Sequence, residues 1–267
     1  MEILLAEEAG FCFGVKRAIE SAMETARNSD VPVYTLGPII HNPQVVKKLD
    51  EKGVKVIDFL DEIEEGVVII RSHGVSPDVI NMARERGLTV VDATCPFVKK
   101  AQKVAKSLVD EGYQTIIFGD PEHPEVKGIY GSTEGRAYVV NNIDQLHSLE
   151  LGNKIGFVAQ TTKSPESYRD LIASIIEKAK EIKVHNTICN TTEIRQRSAR
   201  ELAGKVDLMF VIGGYNSANT KRLVEICLET GTPTYHIETA ADINKQWLKN
   251  KEKIGITAGA STPEWLI

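Results

Sequence analysis

Cys12, Cys95 and Cys189 are the residues of this 267-residue chain whose type and spacing point most directly to chemistry. Each closes an apolar run and opens an amphipathic one. "EILLAEEAGFC" leads into "FGVKRAIESAMETARN", "GLTVVDATC" into "PFVKKAQKVAKSLVDEG", and "EIKVHNTIC" into "NTTEIRQRSARELAGK". The steps between them are 83 and 94 residues, and 78 residues follow Cys189. A thiol in this setting is a small core residue, a nucleophile or a metal ligand. A lone nucleophile does not explain why three thiols share one phase. Three converging thiolates suit a metal centre: zinc, which recruits a fourth protein ligand, or a [4Fe–4S] cluster with one iron left open. The fourth cysteine, Cys227, lies out of phase in "TKRLVEICLETG", where Leu223, Ile226 and Cys227 fit one buried helix face. No two cysteines have CxxC spacing.

The elements that position these thiols form a repeat. After the helix behind each cysteine, a second strand ends in glycine: "VYTLG" at Gly37, "TIIFG" at Gly119 and "LMFVIG" at Gly213. A polar cluster and a second helix follow, closed by Gly53, Gly135 and Gly231. His41, His123 and Ser217 each fall four residues after their strand-ending glycine. A last strand in each third runs into "RSHGVSP", "AQTTKSP" or "AGASTP", with Pro77, Pro165 and Pro263 placed for the first turn of a helix. Strands alternating with helices predict an α/β fold with parallel sheets. The repeat divides the chain into three small modules, residues 1–94, 95–188 and 189–267. Arranged about a pseudo-threefold axis as a trefoil, the modules would face their strand ends to one centre, where ligands of parallel sheets bind.

That centre would gather Cys12, Cys95 and Cys189 with His41, His73, His123, Thr161, Ser217, Asn219 and Ser261. Hydroxyls, an amide, imidazoles and helix N-termini suit a small phosphate-bearing anion. Taken singly, "HNP", "NSAN" and "STP" are also ordinary capping sequences. Their shared register in three thirds is what favours a site. Glu125 in "HPEV" is the one carboxylate in these loops that follows a histidine by two. Buried beside a cluster, it would hold a proton to deliver; read alone, it is a solvated acid on the first turn of a helix. His147, His185 and His236 lie off the repeat and read as surface or structural residues.

Composition narrows the class. The net charge is −5, with no basic block, which argues against nucleic acid as the main partner. No apolar run approaches the roughly 20 residues of a membrane helix, and the acidic "MEILLAEEAG" does not suit a signal peptide. The chain reads as cytoplasmic, where thiols stay reduced. No GxGxxG opens a helix, so electrons for any redox chemistry would come from another protein.

"AGFCFGVKRAIE", "GPIIHNP", "RSHGV", "DATCPFV", "GDPEHPEV", "AQTT", "NSANTKRL" and "TAGASTP" together resemble the 4-hydroxy-3-methylbut-2-enyl diphosphate reductases, from Gly10 to Pro263. The resemblance implies an iron–sulfur oxidoreductase of the non-mevalonate isoprenoid pathway with a three-lobed α/β fold. It implies that Cys12, Cys95 and Cys189 hold a [4Fe–4S] cluster and that an open iron takes the substrate hydroxyl. His41, His73, His123, Ser217, Asn219 and Ser261 would bind the diphosphate, and Thr161 and Glu125 would relay a proton. Thr161 rather than Thr162 is chosen because it follows Gln160. The products would be isopentenyl and dimethylallyl diphosphate, with a ferredoxin or flavodoxin as electron donor. One position departs from the family pattern: Ala218 stands where a second serine is common, removing one hydroxyl contact worth roughly 0.5–1.5 kcal/mol. Two other readings compete: a four-cysteine electron carrier and a zinc-stabilised module for a phosphorylated metabolite.

Overall fold

The computed structural model describes residues 1–267. In chain order the strands are β1 Glu2–Leu5, β2 Val33–Leu36, β3 Val54–Ile57, β4 Val67–Ile70, β5 Thr89–Asp92, β6 Gln114–Phe118, β7 Tyr138–Val140, β8 Lys154–Ala159, β9 Glu181–Val184, β10 Leu208–Ile212, β11 Thr234–Ile237 and β12 Lys253–Ala258. The helices are α1 Phe13–Asn28, α2 Pro43–Asp50, α3 Pro77–Glu85, α4 Pro96–Asp110, α5 Pro124–Ser132, α6 Ile143–His147, α7 Pro165–Ala173, α8 Asn190–Ala203 and α9 Ala218–Glu229. No helix is long and apolar enough to cross a membrane.

The strands form three parallel four-stranded sheets, ordered β1-β12-β10-β11, β5-β4-β2-β3 and β9-β8-β6-β7. The order is the same each time. The strand that leads to a cysteine lies at the edge, next to the last strand of the set, then the first, then the second. Burial follows composition. The inner strands β4, β8 and β10 are near-continuous apolar runs, buried along almost their whole length. The edge strands β1, β5 and β9 are half-exposed.

β1, at the start of the stretch 1–94, pairs with β12, Leu5 opposite Ile256. The equivalent edge of the first-third sheet, beside β4, is taken by β5, so the chain's first strand completes the sheet built by its last. Pro77 and Pro165 begin helices as read. Pro263 begins only a turn, with Leu266 N–H donating to its carbonyl.

The chain divides into two compact units, Met1–Lys16 with Ile40–Lys48 and Asn190–Ile267, and Arg17–Ile39 with Leu49–Cys189. The first unit holds the β1-β12-β10-β11 sheet. Alternate residues of β10 face opposite sides. Met209 and Val211 pack with Ala199, Leu202, Leu223 and Cys227. Leu208, Phe210 and Ile212 pack with Ile237, Ile254 and Trp247. The second unit holds the other two sheets. There Ile116 and Phe118 of β6 face one core with Phe157 and Leu171, and Ile117 faces another with Leu108, Val126 and Ile129. Gln102 of α4 donates to the Val75 carbonyl (3.1 Å) just before α3, tying the helices of the two sheets together.

Candidate active site

In the second unit the site grows from strand ends. Cys95 caps the N-terminus of α4, with Pro96 at the first helical position. Its N–H donates to the Ser72 carbonyl (2.9 Å) beyond β4. Ser72 in turn donates through both N–H and Oγ to the Ile39 carbonyl (3.2 and 3.0 Å). The carbonyl before Cys95, that of Thr94, accepts from Arg17 Nη1 (3.1 Å). His73, next to Ser72, meets His123 edge-on, ring centres 5.6 Å apart. His123 caps α5, and its Nδ1 accepts from Glu125 N–H (3.2 Å). That bond keeps Nδ1 unprotonated, so Nε2 carries the proton of the neutral ring.

Glu125 is 2% exposed. Thr161 N–H donates to Oε1 (2.6 Å) and Thr161 Oγ1 to Oε2 (2.8 Å). Burial pushes the Glu125 carboxyl up to about 7, despite the two hydrogen bonds that pull the other way. The solvated-acid alternative for Glu125 is therefore excluded. The Thr161 carbonyl accepts from Cys189 N–H (3.0 Å). A continuous path thus runs from Cys95 through Ser72, His73, His123, Glu125 and Thr161 to Cys189. Thr162 takes no part in it, since its hydroxyl accepts from Gln160 Nε2 (3.0 Å).

Gln160, which "AQTT" offers only as the residue before Thr161, has a task of its own. Its side chain is buried, and Oε1 accepts from Asp120 N–H (3.0 Å). It therefore pins the loop carrying His123 and Glu125 to the loop carrying Thr161. The sequence carries one hint: Gln160 directly follows the β8 run, where an amide can donate and accept at once.

The first unit carries the remaining predicted residues. Cys12 heads α1, and its Sγ accepts from Val15 N–H (3.5 Å). Its own N–H donates to the Ala260 carbonyl (3.1 Å), next to Ser261. Ser261 Oγ donates to the His41 carbonyl (3.3 Å). That carbonyl also lies against Gly214, where an added Cβ would sit 2.3 Å from it, so only glycine allows the approach. Ser217 caps α9, its Oγ accepting from Thr220 N–H (3.2 Å). Asn219 follows in the first turn, 7% exposed, and its Nδ2 meets no protein acceptor. Asn42, capping α2 through Oδ1 to Val45 N–H (3.2 Å), likewise leaves its Nδ2 without an acceptor. Buried amide donors without protein partners are rare in native proteins, and these two suit a site that receives an acceptor-rich ligand.

The loop bearing Ser217 is held from β11. His236 Nε2 bonds the Gly213 carbonyl (2.9 Å), and the Tyr215 ring lies 4.7 Å from the His236 ring. Tyr215 N–H donates to Glu238 Oε1 (2.8 Å). Burial holds the His236 imidazole below its ordinary range, outweighing the pull of Gly213 and Glu238. His236 is thus structural, as its place off the repeat suggested.

If Asn219 awaits an anion, Asn219→Ala should have opposed effects. The isolated protein should keep or gain stability, because an unpartnered buried amide costs about 1–3 kcal/mol. Pyrophosphate should bind about tenfold or more weakly, because a hydrogen bond to a charged group contributes roughly 1.5–3 kcal/mol. Thermal melting and titration calorimetry read the two signs separately, and a loss of both stability and affinity would mark a merely structural residue.

The class these features define is an α/β protein of parallel sheets in which Cys12, Cys95, Cys189, His41, His73, His123 and the buried acid Glu125 lie at strand ends and helix N-termini. A family model described as LytB protein matches residues 3–267. The chain belongs to the LytB family. A relative from Pelobacter propionicus named 4-hydroxy-3-methylbut-2-enyl diphosphate reductase is 51% identical over 267 residues, covering 100% of this chain and 95% of the relative. One from Geobacter sulfurreducens with the same name is 52% identical, covering 100% and 94%. The solved E-1-hydroxy-2-methyl-but-2-enyl-4-diphosphate reductase of Plasmodium falciparum is similar with a TM-score of 0.95 and 32% identity, covering 99% of this chain and 85% of that one. A solved (E)-4-hydroxy-3-methyl-but-2-enyl diphosphate reductase, the terminal enzyme of the non-mevalonate pathway, is 45% identical with a TM-score of 0.74, covering 100% and 96%.

Proposed function

We propose that this chain reduces 4-hydroxy-3-methylbut-2-enyl diphosphate to isopentenyl and dimethylallyl diphosphate. Family membership supports the reading, and the observation that carries it is the buried Glu125–Thr161 pair one hydrogen bond from Cys189. The thiol set fits an iron–sulfur centre. Cys12, Cys95 and Cys189 form no disulfide, are partly exposed and sit at helix heads. Cys227 is buried among apolar side chains, and burial pushes its thiol up to about 12, so it suits packing and not ligation. Three ligands fit a [4Fe–4S] cluster with an open iron, which when bound would supply the electrons and the Lewis acidity for breaking the carbon–oxygen bond.

The remaining steps fall to the chain's own residues. The reaction consumes two electrons and two protons and releases water. One proton meets the departing hydroxyl and the other meets either end of the allylic system. A Glu125 carboxyl near pKa 7 is protonated in about half of the molecules at neutral pH. It can pass that proton to Thr161 Oγ1 at 2.8 Å, whose own proton then moves to the hydroxyl. Ser217, Asn219, Ser261, His41, His73 and His123 bind the diphosphate, so that binding remote from the reacting carbon holds it in place. The electrons come from an external carrier such as a ferredoxin or flavodoxin, and the enzyme works in the cytoplasm. We also read the thirds 1–94, 95–188 and 189–267 as copies of one unit, as the shared strand order supports.

The test is anaerobic. Brown protein is mixed with a reduced viologen dye, and 4-hydroxy-3-methylbut-2-enyl diphosphate is added. Dye oxidation that depends on substrate is expected. None, in protein with its iron counted and intact, overturns the reductase reading in favour of an electron carrier.

A further inference from the structure

We infer that Arg195 is a positioning residue that holds Cys12 in place beside Ser261. Arg195 lies in α8 and is 2% exposed. Its Nη1 donates to the carbonyls of Glu8 (3.3 Å) and Ala258 (3.0 Å). These carbonyls belong to the two segments that leave β1 and β12. Strand pairing between those segments ends at Leu5 and Ile256, with one further bond from Ala6 N–H to the Ile256 carbonyl (2.8 Å). They bond directly again only where Cys12 N–H meets the Ala260 carbonyl (3.1 Å). Arg195 bridges the interval.

Ser198 strengthens the grip. It lies three residues on from Arg195, on the same helix face. Its Oγ accepts from Glu8 N–H (3.4 Å). The Glu8 backbone is therefore held from α8 at both its N–H and its C=O. A buried guanidinium is an expensive way to fill space. Here its donors go to main-chain carbonyls four residues before Cys12 and three before Ser261. The placement has a chemical point: the thiol and the hydroxyl follow two different strands, and their separation sets the distance between the centre Cys12 would help hold and the substrate group Ser261 would bind.

The inference rests on the proposed role of Cys12 as a ligand, but its test needs neither substrate nor turnover. Protein purified anaerobically is exposed to iodoacetamide, and labelling of Cys12, Cys95 and Cys189 is followed by mass spectrometry. In Arg195→Met, Cys12 should label about fivefold faster than in wild type, the factor one net hydrogen bond corresponds to. Cys95 and Cys189 should keep their wild-type rates. Arg195→Lys, which can reach one carbonyl, should restore part of the protection, and Ser198→Ala should show the effect in weaker form. Wild-type labelling of Cys12, or equal acceleration of all three thiols, overturns the inference. If Arg195→Met does not fold, the lysine and Ser198→Ala variants decide alone, and wild-type Cys12 rates in both overturn it. Selective labelling alongside a failed viologen assay would leave Arg195 in this role and remove only the reductase reading.

Discussion

Glu125→Gln is expected to cut substrate-dependent turnover by about 10²–10⁴-fold, the range lost with a positioned general acid. The glutamine keeps the geometry. Its Oε1 can accept from Thr161 N–H as the carboxylate does, and its Nε2 can donate to Thr161 Oγ1. It fills the same buried volume and has no proton to give. Iron content and pyrophosphate affinity should therefore stay at wild-type values while the rate collapses. Near wild-type turnover would remove Glu125 from the mechanism and leave proton delivery to the substrate's own diphosphate.

The same residue sets two pH dependences with known signs. Its carboxyl is raised from 4.5 to about 7, chiefly by burial. Proton delivery needs the acid form, so turnover should fall as pH rises through about 7, and Glu125→Gln should lack that limb. Folding is linked in the same direction. The folded state holds this proton more tightly than the unfolded chain, so the stability Glu125 contributes is full below about 4.5. It is lost as pH rises to about 7, a change on the order of 3 kcal/mol. Glu125→Gln should accordingly melt higher than wild type at pH 8, with the gain shrinking toward pH 5. A buried acid that weakens the fold where the enzyme must work is a feature kept for chemistry.

What was legible in the sequence is what local pattern can carry. Apolar runs and Cys-headed amphipathic segments gave strands and helices in the right order, and the glycines at 53, 135 and 231 take the left-handed conformation that ends a helix. In two of the three thirds the polar position four residues after the glycine is a helix cap. His123 and Ser217 are helix caps, but at the equivalent place the cap is Asn42, because "HNP" inserts a residue where "HP" does not. What stayed hidden depends on partners distant in sequence. Glu125 looked solvated because its donors come from Thr161, 36 residues on. Arg195 carries no signal in the sequence that singles it out, because its acceptors lie 187 and 63 residues away. β1 was placed by its neighbours in sequence, while sheet order placed it against β12.

Cys12→Ser, Cys95→Ser and Cys189→Ser should each yield protein depleted of iron, with turnover down by more than the roughly 10–100-fold that loss of a residue merely supporting a ligand causes. Serine keeps the size and the backbone bonds, so Cys95 N–H to Ser72 and Cys189 N–H to Thr161 survive. Only the soft sulfur donor is lost. Cys227→Ala should do the opposite. Its thiol lies between Ala199, Leu202 and Leu223, with a long contact to the Ala199 carbonyl (3.9 Å). Removing it should leave iron content and turnover intact and cost about 1 kcal/mol of stability, read as a drop in melting temperature of roughly 2–4 °C. Iron analysis and visible absorption of the four variants separate the competing centres. Loss of the cluster in Cys227→Ala would mean four thiolate ligands and no open iron, which is an electron carrier's arrangement. A colourless wild-type protein that lost zinc in the three serine variants would make the centre structural. Brown wild-type protein dependent on three thiols alone would fit the three-ligand centre of the reductase reading, with Glu125 and Thr161 supplying the proton to the departing hydroxyl.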